Sequence, residues 1–282
     1  VGRSATVVLL DELGELRLAT NGLPESVIQP KGARSSRFST AHWLSLLPLT
    51  ARPEAEALLV IGLGAGITVE DVPASLKEVH VVELEPQVIA ANRSQSLNRR
   101  KDPFADARLK LHIDDARSAL QSTAQQFDVI VSQPSHPWTA GAAHLFTREF
   151  FTLAKTRLRN EGVFVQWIGL EFVDEPLLKS LIGTLADVFP EVEVYQPGNS
   201  GSLLFLASNA PIDLQGAGDS SLPHADLWQP LGVNVIDDLL ISRRLDNDAA
   251  RSFSRQAEIS TDYRNLLRIR SPRVMADPLG SK

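Results

Sequence analysis

The chain has 282 residues, of which 43% are hydrophobic and 22% are charged, and this composition suits one large α/β domain or one domain with a small extension. Its net charge of −6 argues against nucleic-acid binding, because phosphate contacts need a basic surface. The absence of cysteine excludes disulfides, thiolate metal sites and cysteine nucleophiles, and no apolar run reaches the roughly 18–20 residues that a membrane-spanning helix needs.

The first part of the chain, residues 5–30, has the pattern of β structure. The segments TVVLLD and ELRLAT flank a turn that contains Gly14, and Asn21-Gly22 is a strong hairpin signal. The segment STAHWLSLLPL (39–49) begins with Ser and Thr and ends near a proline, so it predicts a helix.

Beyond this helix, short apolar strands alternate with helices. We predict strands at 57–62, 79–84, 108–113, 127–132, 162–170, 191–196 and 202–208, with helices opening at Pro86 and Asp115 and covering about 148–158 and 174–188. Such alternation predicts a parallel, doubly wound sheet. We place the domain boundary near residue 52: residues 1–51 form a β-hairpin segment with a linking helix, and residues 52–282 form the larger domain. We also expect a loop over 210–235 and a helix over 233–245.

Three glycines follow the first strand of the alternation. Gly62, Gly64 and Gly66 lie between that strand and a predicted helix, where they let a nucleotide or nucleoside approach the backbone and the helix N-terminus. Glu83 ends the next strand, about twenty residues on, where a carboxylate can accept hydrogen bonds from both ribose hydroxyls. Ile67 stands where the dinucleotide fingerprint needs its third glycine, so an NAD-dependent oxidoreductase is disfavoured. The combination predicts a nucleoside site.

The third strand of the alternation ends in Asp114-Asp115-Ala116. Strand ends at the carboxyl edge of such a sheet line the ligand crevice, so one aspartate can accept from an exocyclic adenine amine. Asp114 can instead cap the following helix, and both roles can coexist on adjacent residues.

Several runs together resemble the spermidine/spermine synthase family, over about residues 5–210: VIGLGAGIT, VHVVELEPQVI, LKLHIDDARSAL, FDVIVSQPSHPWTAGAAHLFTREFF and GVFVQWI. The resemblance implies a class I S-adenosylmethionine-methyltransferase-like (Rossmann-like) α/β fold with a small N-terminal β segment. The SQPSHPW loop, FVQW and the tail STDYRNLLRIRSPR are most similar to a branch in which this domain is fused behind a membrane-embedded region. The chain begins at Val1 without a Met, which that fusion would explain.

The resemblance also implies an activity and a site. The family's enzymes transfer an aminopropyl group from decarboxylated S-adenosylmethionine to a polyamine such as putrescine, release methylthioadenosine, and need no metal. The resemblance further implies a homodimer that is joined partly through the N-terminal β region. It also implies a cytoplasmic location, and if the fusion holds, this chain would be the cytoplasmic domain of a membrane protein. By position, the nucleoside would be held by Gly62, Gly64, Gly66, Glu83 and Asp115, with Asp114 and Ala116 beside them.

The acidic residues of the family pattern are missing here. The family ends its fourth core strand in a pattern like TDSSDP, and the corresponding letters here are SQPSHP. Gln133 therefore stands at the position of the key carboxylate and His136 at that of the second acid. A further acid usual in the glycine loop is Ala65 here, and the Tyr/His–Gln/Glu pair before the first core strand is missing, with His42 nearest.

The loss matters because an alkylamine, with a pKa near 10.4, needs about 4.6 kcal/mol at pH 7 to lose its proton, at roughly 1.36 kcal/mol per unit. Gln133 cannot act as a base but can orient a substrate, and His136 can be a base at physiological pH. We therefore name Gln133 and His136 as candidate catalytic residues, and Gln133, Ser135, Trp138 and His42 as candidate acceptor-binding residues. Trp138 can alternatively anchor the loop in the core, and Asp262 can line the acceptor pocket or cap a turn.

Three functions stay open besides the disfavoured oxidoreductase. The first is an aminopropyltransferase-like enzyme that alkylates an amine. The second is a methyltransferase that uses S-adenosylmethionine itself, because a methyl donor keeps its own carboxylate. The third is a non-catalytic nucleoside or polyamine sensor, which the exchange of the catalytic acid for Gln133 would explain.

Overall fold

A computed structural model describes residues 5–12, 15–33, 39–139, 141–214 and 221–276. The strands are β1 Val7–Glu12, β2 Glu15–Thr20, β3 Leu23–Ile28, β4 Ala57–Ile61, β5 Glu78–Glu83, β6 Leu109–Ile113, β7 Phe127–Ser132, β8 Leu158–Gly169, β9 Glu191–Tyr195, β10 Ser202–Ser208 and β11 Arg243–Leu245. The α-helices are α1 Thr40–Ala51, α2 Pro86–Ser94, α3 Ala116–Ser122, α4 Arg148–Thr156, α5 Glu175–Val188, α6 Ala225–Trp228, α7 Ile236–Leu240, α8 Asn247–Phe253 and α9 Leu266–Ala276.

The first three strands form a small antiparallel sheet in the order β1-β2-β3. Asn21 and Gly22 join β2 to β3 with φ angles of +52° and +79°, which suits the two-residue turn that Asn-Gly favours in hairpins. The predicted hairpin is therefore confirmed, whereas the turn predicted at Gly14 lies outside the described residues. One irregularity interrupts β3: Leu18 pairs with Ser26 and the next residue, Ala19, pairs with Pro24, so Glu25 is the extra residue of a β-bulge.

The remaining strands form an eight-stranded sheet in the order β11-β9-β10-β8-β7-β4-β5-β6. The five neighbours from β8 to β6 are parallel, and β10 runs antiparallel between β8 and β9. The strand order reverses where β4 lies between β5 and β7. A crevice at such a reversal, outside the carboxyl ends of the strands, is where doubly wound sheets bind their ligands.

Both faces of the large sheet are covered. Along β4, Leu58 and Val60 join a core cluster that contains helices α1 and α2, while Leu59 and Ile61 face a second cluster that contains α3, α4 and α5. Strands buried on both faces carry near-continuous apolar sequences, which is why these strands were predictable. The doubly wound α/β fold with a small N-terminal sheet is confirmed. Helix α1, which the prediction assigned to the N-terminal segment, packs on the large sheet. The division of the chain at residue 52 stays a prediction.

The C-terminal third differs from its predicted elements. The helix predicted over 233–245 is wrong in part: Ile236–Leu240 is helical, but Arg243–Leu245 pairs with β9. There the Arg243 guanidinium pairs with Glu193 of β9 at 3.1 Å, a tertiary contact that overrides helical propensity.

The loop predicted over 210–235 is also wrong in part, because it contains helix α6. Its Trp228 is fully buried, and the indole Nε1 donates to Thr50 Oγ1 at 2.8 Å. The ring also meets Trp43 edge-on, with centroids 4.9 Å apart. Burial of this one large side chain accompanies a short helix in residues 221–235, whose composition is typical of a loop.

Candidate active site

The glycine loop follows β4 and turns sharply. Gly62 has φ +89°, and a Cβ atom there would lie 2.9 Å from the backbone oxygen of Gln133, so both backbone conformation and space require glycine. The α-helix predicted after the loop is wrong: a single 3-10 turn, Ile67–Val69, follows Gly66. Its β-branched side chains and the nearby Pro73 disfavour a longer helix. Without that helix, the backbone N–H groups that a ligand here could contact are those of the loop itself.

Glu83, at the end of β5, lies against this loop. Its Oε2 accepts a hydrogen bond from the Leu63 backbone N–H at 2.8 Å, and its Oε1 accepts one from Glu85 at 2.8 Å. The side chain is buried, and burial raises its pKa while these backbone hydrogen bonds oppose the rise. A carboxylate offers about four lone-pair sites, so each oxygen can accept a further bond from a ribose hydroxyl. The spacing that predicted Glu83 as the partner of the glycine loop thus corresponds to direct contact.

Asp114 and Asp115 follow β6 at the same edge of the sheet. Asp115 is the N-cap of α3, where its side chain accepts from the backbone N–H groups of Arg117 and Ser118. The alternative that Asp114 caps this helix is therefore wrong; Asp114 Oδ1 instead accepts from the backbone N–H of Asp115 at 2.8 Å. Its own backbone N–H donates to the Glu83 carbonyl, so the pair of aspartates is joined directly to the end of β5.

Gln133 follows β7, and its side chain is committed to the glycine loop. Its Nε2 donates to the Gly62 carbonyl at 2.6 Å, and its Oε1 accepts from the Thr68 hydroxyl at 2.7 Å. The amide therefore holds both ends of the loop together. A carboxylate at this position could accept from Thr68 but could not donate to Gly62.

The rest of the loop after β7 is built around His136. Its carbonyl accepts from both the backbone and the hydroxyl of Thr139. The ring packs against Trp138 and Phe172, with centroids 5.0 and 5.3 Å away. Trp138 itself meets Phe172 edge-on, which favours its interpretation as the anchor of the loop. His136 is only 9% exposed, and burial lowers its pKa, so the ring is neutral at pH 7.

Glu25, in the bulge of β3, is a site residue that the sequence reasoning missed. Its Oε1 lies 3.8 Å from His136 Nδ1, and the charge of Glu83 and the hydroxyl of Ser135 have opposite effects on its pKa. Burial, reinforced by the charge of Glu83, raises its pKa to about 7. A single acid in a predicted hairpin gives no sign of this placement, because only the bulge and the docking of the small sheet bring it to the loop.

A buried ion network lies behind the glycine loop. Glu70 pairs with Arg99 at 2.5 Å, with both side chains fully buried, and also with Arg100. Arg99 donates to the Ala65 carbonyl as well, so the network braces the loop. The structure places His42 here, with Nε2 3.1 Å from Asp71 Oδ2; its role in acceptor binding stays a prediction.

One group in the described part of the chain has the ligand types of a metal site. Its members are His42, Glu70 and Asp71, whose ligand atoms lie within 4.8 Å of one another. Arg100 bonds both acids and approaches the imidazole at 3.3 Å. A guanidinium thus already supplies the positive charge that a metal ion would bring.

Asp262, in the tail, contacts the starts of helices α3 and α4. It receives two hydrogen bonds from the Arg117 guanidinium, each at 2.8 Å, and one from the Thr147 hydroxyl at 2.7 Å. These bonds lower its pKa against the effect of burial. Its observed role is to tie the tail to the starts of α3 and α4.

Residues 38–197 match the family described as Spermine/spermidine synthase domain, a stretch that covers more than half of the chain. The chain belongs to the spermine/spermidine synthase family.

Curated relatives of this family share the central part of the chain. A polyamine aminopropyltransferase of Shigella boydii is 32% identical over 161 residues, and one of Erwinia tasmaniensis is 30% identical over 161 residues. Each alignment covers 56% of this chain and 56% of the relative. The chain thus spans about half of the length of the curated relatives it matches.

Solved structures of the family share the fold over most of the chain. A spermidine synthase in complex with the transition-state analogue AdoDATO superposes with a TM-score of 0.68 and 21% identity, covering 90% of this chain and 88% of that one. The spermidine synthase from Thermotoga maritima superposes with a TM-score of 0.66 and 22% identity, covering 90% of this chain and 87% of that one. This likeness confirms the fold predicted from the resemblance. None of the helices within the described ranges has the length and apolar character needed to cross a membrane.

Proposed function

We propose that this protein transfers an aminopropyl group from decarboxylated S-adenosylmethionine to an amine and releases methylthioadenosine. Membership of the spermine/spermidine synthase family supports the reaction, as do relatives named polyamine aminopropyltransferase. One structural neighbour is a spermidine synthase that holds a transition-state analogue. The activity of this chain needs its own test, because its acidic residues differ from the pattern of the family.

The contact between Glu83 and the glycine loop carries the proposal. Glu83 is bonded to Leu63 at 2.8 Å and keeps lone pairs that can accept from both ribose hydroxyls. Asp115, fixed as the cap of α3, stands one strand further along the same edge for the adenine amine. Ala116 follows it at the first turn of that helix, and Gly64 and Gly66 complete the loop. This arrangement fits the nucleoside that the donor and the by-product share.

The charges beside the site favour a decarboxylated donor. Glu83 is buried and Glu25 is partly buried, and the charge of Glu83 raises the pKa of Glu25, so a further negative charge would be unfavourable here. A donor that keeps its own carboxylate would add to that repulsion, whereas an aminopropyl donor brings an ammonium group that relieves it. We therefore rank aminopropyl transfer above methyl transfer.

Gln133 and His136 take supporting roles in this proposal. The Gln133 amide holds the glycine loop through two hydrogen bonds, so we assign it to positioning the nucleoside. His136 is neutral and buried, and it cannot gather a dicationic amine as a carboxylate does. Ser135 and Trp138 shape the wall on which the acceptor would lie.

Two measurements test the proposal. Mass spectrometry should detect an aminopropylated amine and methylthioadenosine when the protein is incubated with decarboxylated S-adenosylmethionine and a panel of amines. Calorimetry should show that Glu83→Gln weakens methylthioadenosine binding by at least about tenfold, the effect of one charged hydrogen-bond partner. Glu78→Gln is the matched control, since Glu78 lies at the opposite end of the same strand and pairs with Lys110.

The same measurements separate the alternatives. A methylated product formed from S-adenosylmethionine would establish a methyltransferase. Methylthioadenosine binding without any product would establish a sensor. If the protein binds no nucleoside, all three interpretations fail together.

The assembly and location follow from the family as proposals. The partners are a nucleoside and an amine, and the protein is cytoplasmic, either as a homodimer or as the cytoplasmic domain of a membrane-fused chain. Light scattering on the purified protein, with the small N-terminal sheet deleted in a second sample, tests the dimer and the contribution of that sheet.

A further inference from the structure

The β-bulge in β3 gives Glu25 an orientation that regular pairing would not. Leu18 and Ala19 of β2 are consecutive, but their partners Ser26 and Pro24 are separated by Glu25. A bulged residue leaves the hydrogen-bond ladder and re-aims its side chain, and bulges are enriched beside active sites. Here the re-aimed carboxylate meets Ser135 and His136 on the loop after β7.

The surroundings of Glu25 hold polar atoms that lack partners. His136 is 9% exposed, and its Nδ1 has no hydrogen-bond partner among the described residues. The Oε1 atom of Glu25, 3.8 Å away, is too far for a hydrogen bond. The Ser26 hydroxyl oxygen is also buried and has no hydrogen-bond partner among the described residues. It lies close to the glycine loop, 3.4 Å from the position that a Cβ atom on Gly64 would occupy. Buried polar groups are normally bonded, so this arrangement indicates a place for a polar ligand between the small sheet and the glycine loop.

We propose that Glu25 is the carboxylate that binds the acceptor ammonium group and takes its proton, in place of the acid missing at Gln133. The inference rests on the proposed function, because it names the acceptor group of the same site. In this proposal the acidic group lies on the small N-terminal sheet, whereas the family pattern has it at the edge of the large sheet.

The other candidates at the site are excluded by their contacts. Gln133 is neutral and bonded on both sides, and Asp262 is held by Arg117. Glu83 is bonded by two backbone N–H groups and faces the ribose position. Of these residues, Glu25 is the carboxylate that lies beside His136 on the loop after β7.

The protonation behaviour of Glu25 suits this role. Its pKa of about 7 lies near the operating pH, where a general base is most effective. The titratable groups that face it are Glu83, whose charge raises its pKa, and His136, whose own pKa is lowered by burial. A bound ammonium group would lower this pKa and ionise the carboxylate.

The transfer step can then be balanced. The ionised Glu25 takes one proton from the ammonium group, and the freed nitrogen lone pair attacks the propyl carbon bonded to the sulfonium sulfur. As the C–N bond forms, the C–S bond breaks and its electron pair stays on sulfur, which becomes the neutral thioether of methylthioadenosine. The alkylated nitrogen carries the positive charge that the sulfur loses.

The experiment compares the wild type, Glu25→Gln, Glu25→Asp and a matched control, Glu15→Gln. Glu15 lies on the neighbouring strand of the same sheet, with a side chain that is 62% exposed. Two quantities are measured for each: kcat/KM for 1,4-diaminobutane across pH 5.5–9, and the affinity of the methylthioadenosine-saturated protein for that diamine. Glu25→Gln should lower kcat/KM by about 10²–10⁴-fold, the usual contribution of a general base. It should also remove the acid limb of the pH profile, which is the fall of kcat/KM as the pH decreases through about 7. Glu25→Asp should keep that limb with partial activity, and Glu15→Gln should match the wild type.

The outcomes distinguish this inference from the proposed function. If the wild type transfers the aminopropyl group and Glu25→Gln does so equally well with the same pH profile, the inference is wrong and the function stands. If the wild type makes no product, the proposed function is wrong, and the affinity for the diamine then decides whether Glu25 binds the amine. Binding that weakens at least tenfold in Glu25→Gln, with unchanged methylthioadenosine affinity, supports Glu25 as the amine site; equal or absent diamine binding overturns it.

Discussion

Replacing Glu25 with glutamine should stabilise the fold above neutral pH and have little effect under acid conditions. The folded protein holds the Glu25 pKa at about 7 against an ordinary value of 4.5, so between these values it binds more protons than the unfolded chain. Stability therefore falls as pH rises through this window and levels off above it. A glutamine side chain cannot ionise, so the substitution removes that loss.

The magnitude follows from the shift. A rise from 4.5 to about 7 corresponds to about 3 kcal/mol, at roughly 1.36 kcal/mol per unit. Part of the loss is already present at pH 5, so the free energy of unfolding of Glu25→Gln relative to wild type should increase by about 2–3 kcal/mol between pH 5 and pH 8.5. The amide oxygen of glutamine can accept from a neighbouring hydroxyl as the carboxylate does.

Urea unfolding at both pH values measures this difference. Comparing variant with wild type at each pH cancels most other titrating groups, apart from Glu83, whose charge acts on Glu25. Glu15→Gln on the same sheet should differ from wild type by no more than about 0.5 kcal/mol at either pH, as exposed substitutions do. A difference between Glu25→Gln and wild type that is the same at pH 5 and pH 8.5 would refute the burial of an ionisable Glu25.

Three further substitutions have defined outcomes. Gly62→Ala should abolish methylthioadenosine binding in calorimetry, because its Cβ would lie 2.9 Å from the Gln133 carbonyl; binding within threefold of wild type would contradict this. Glu70→Gln leaves the buried Arg99 charge uncompensated and should cost about 3–5 kcal/mol in urea unfolding; a cost below about 1 kcal/mol would contradict it. Asp115→Ala removes the cap of α3 and should cost about 1 kcal/mol while weakening methylthioadenosine binding; unchanged affinity would remove Asp115 from the site.

The central strands and the contact between the glycine loop and Glu83 were predictable because their signals are local. Buried parallel strands need continuous apolar sequence, and the spacing from the glycine loop to Glu83 is set by one turn and one strand. The C-terminal third was less predictable, since Trp228 and Arg243 are placed by partners distant in sequence. Glu25 could not be predicted for the same reason, because neither its bulge nor its contact with the loop after β7 leaves a mark in the sequence.

The exchange of an acid for Gln133 and the placement of Glu25 are physically connected. An acid after β7 would stand beside the Gly62 carbonyl, to which Gln133 donates, and would repel Glu25 across the same loop. Gln133 instead strengthens the glycine loop, and Glu25 is the carboxylate proposed for the acceptor side. That carboxylate reaches the site only when the small sheet is docked, so the small sheet carries part of the proposed chemistry. Weakening its contact with the glycine loop should therefore reduce transfer before it reduces nucleoside binding.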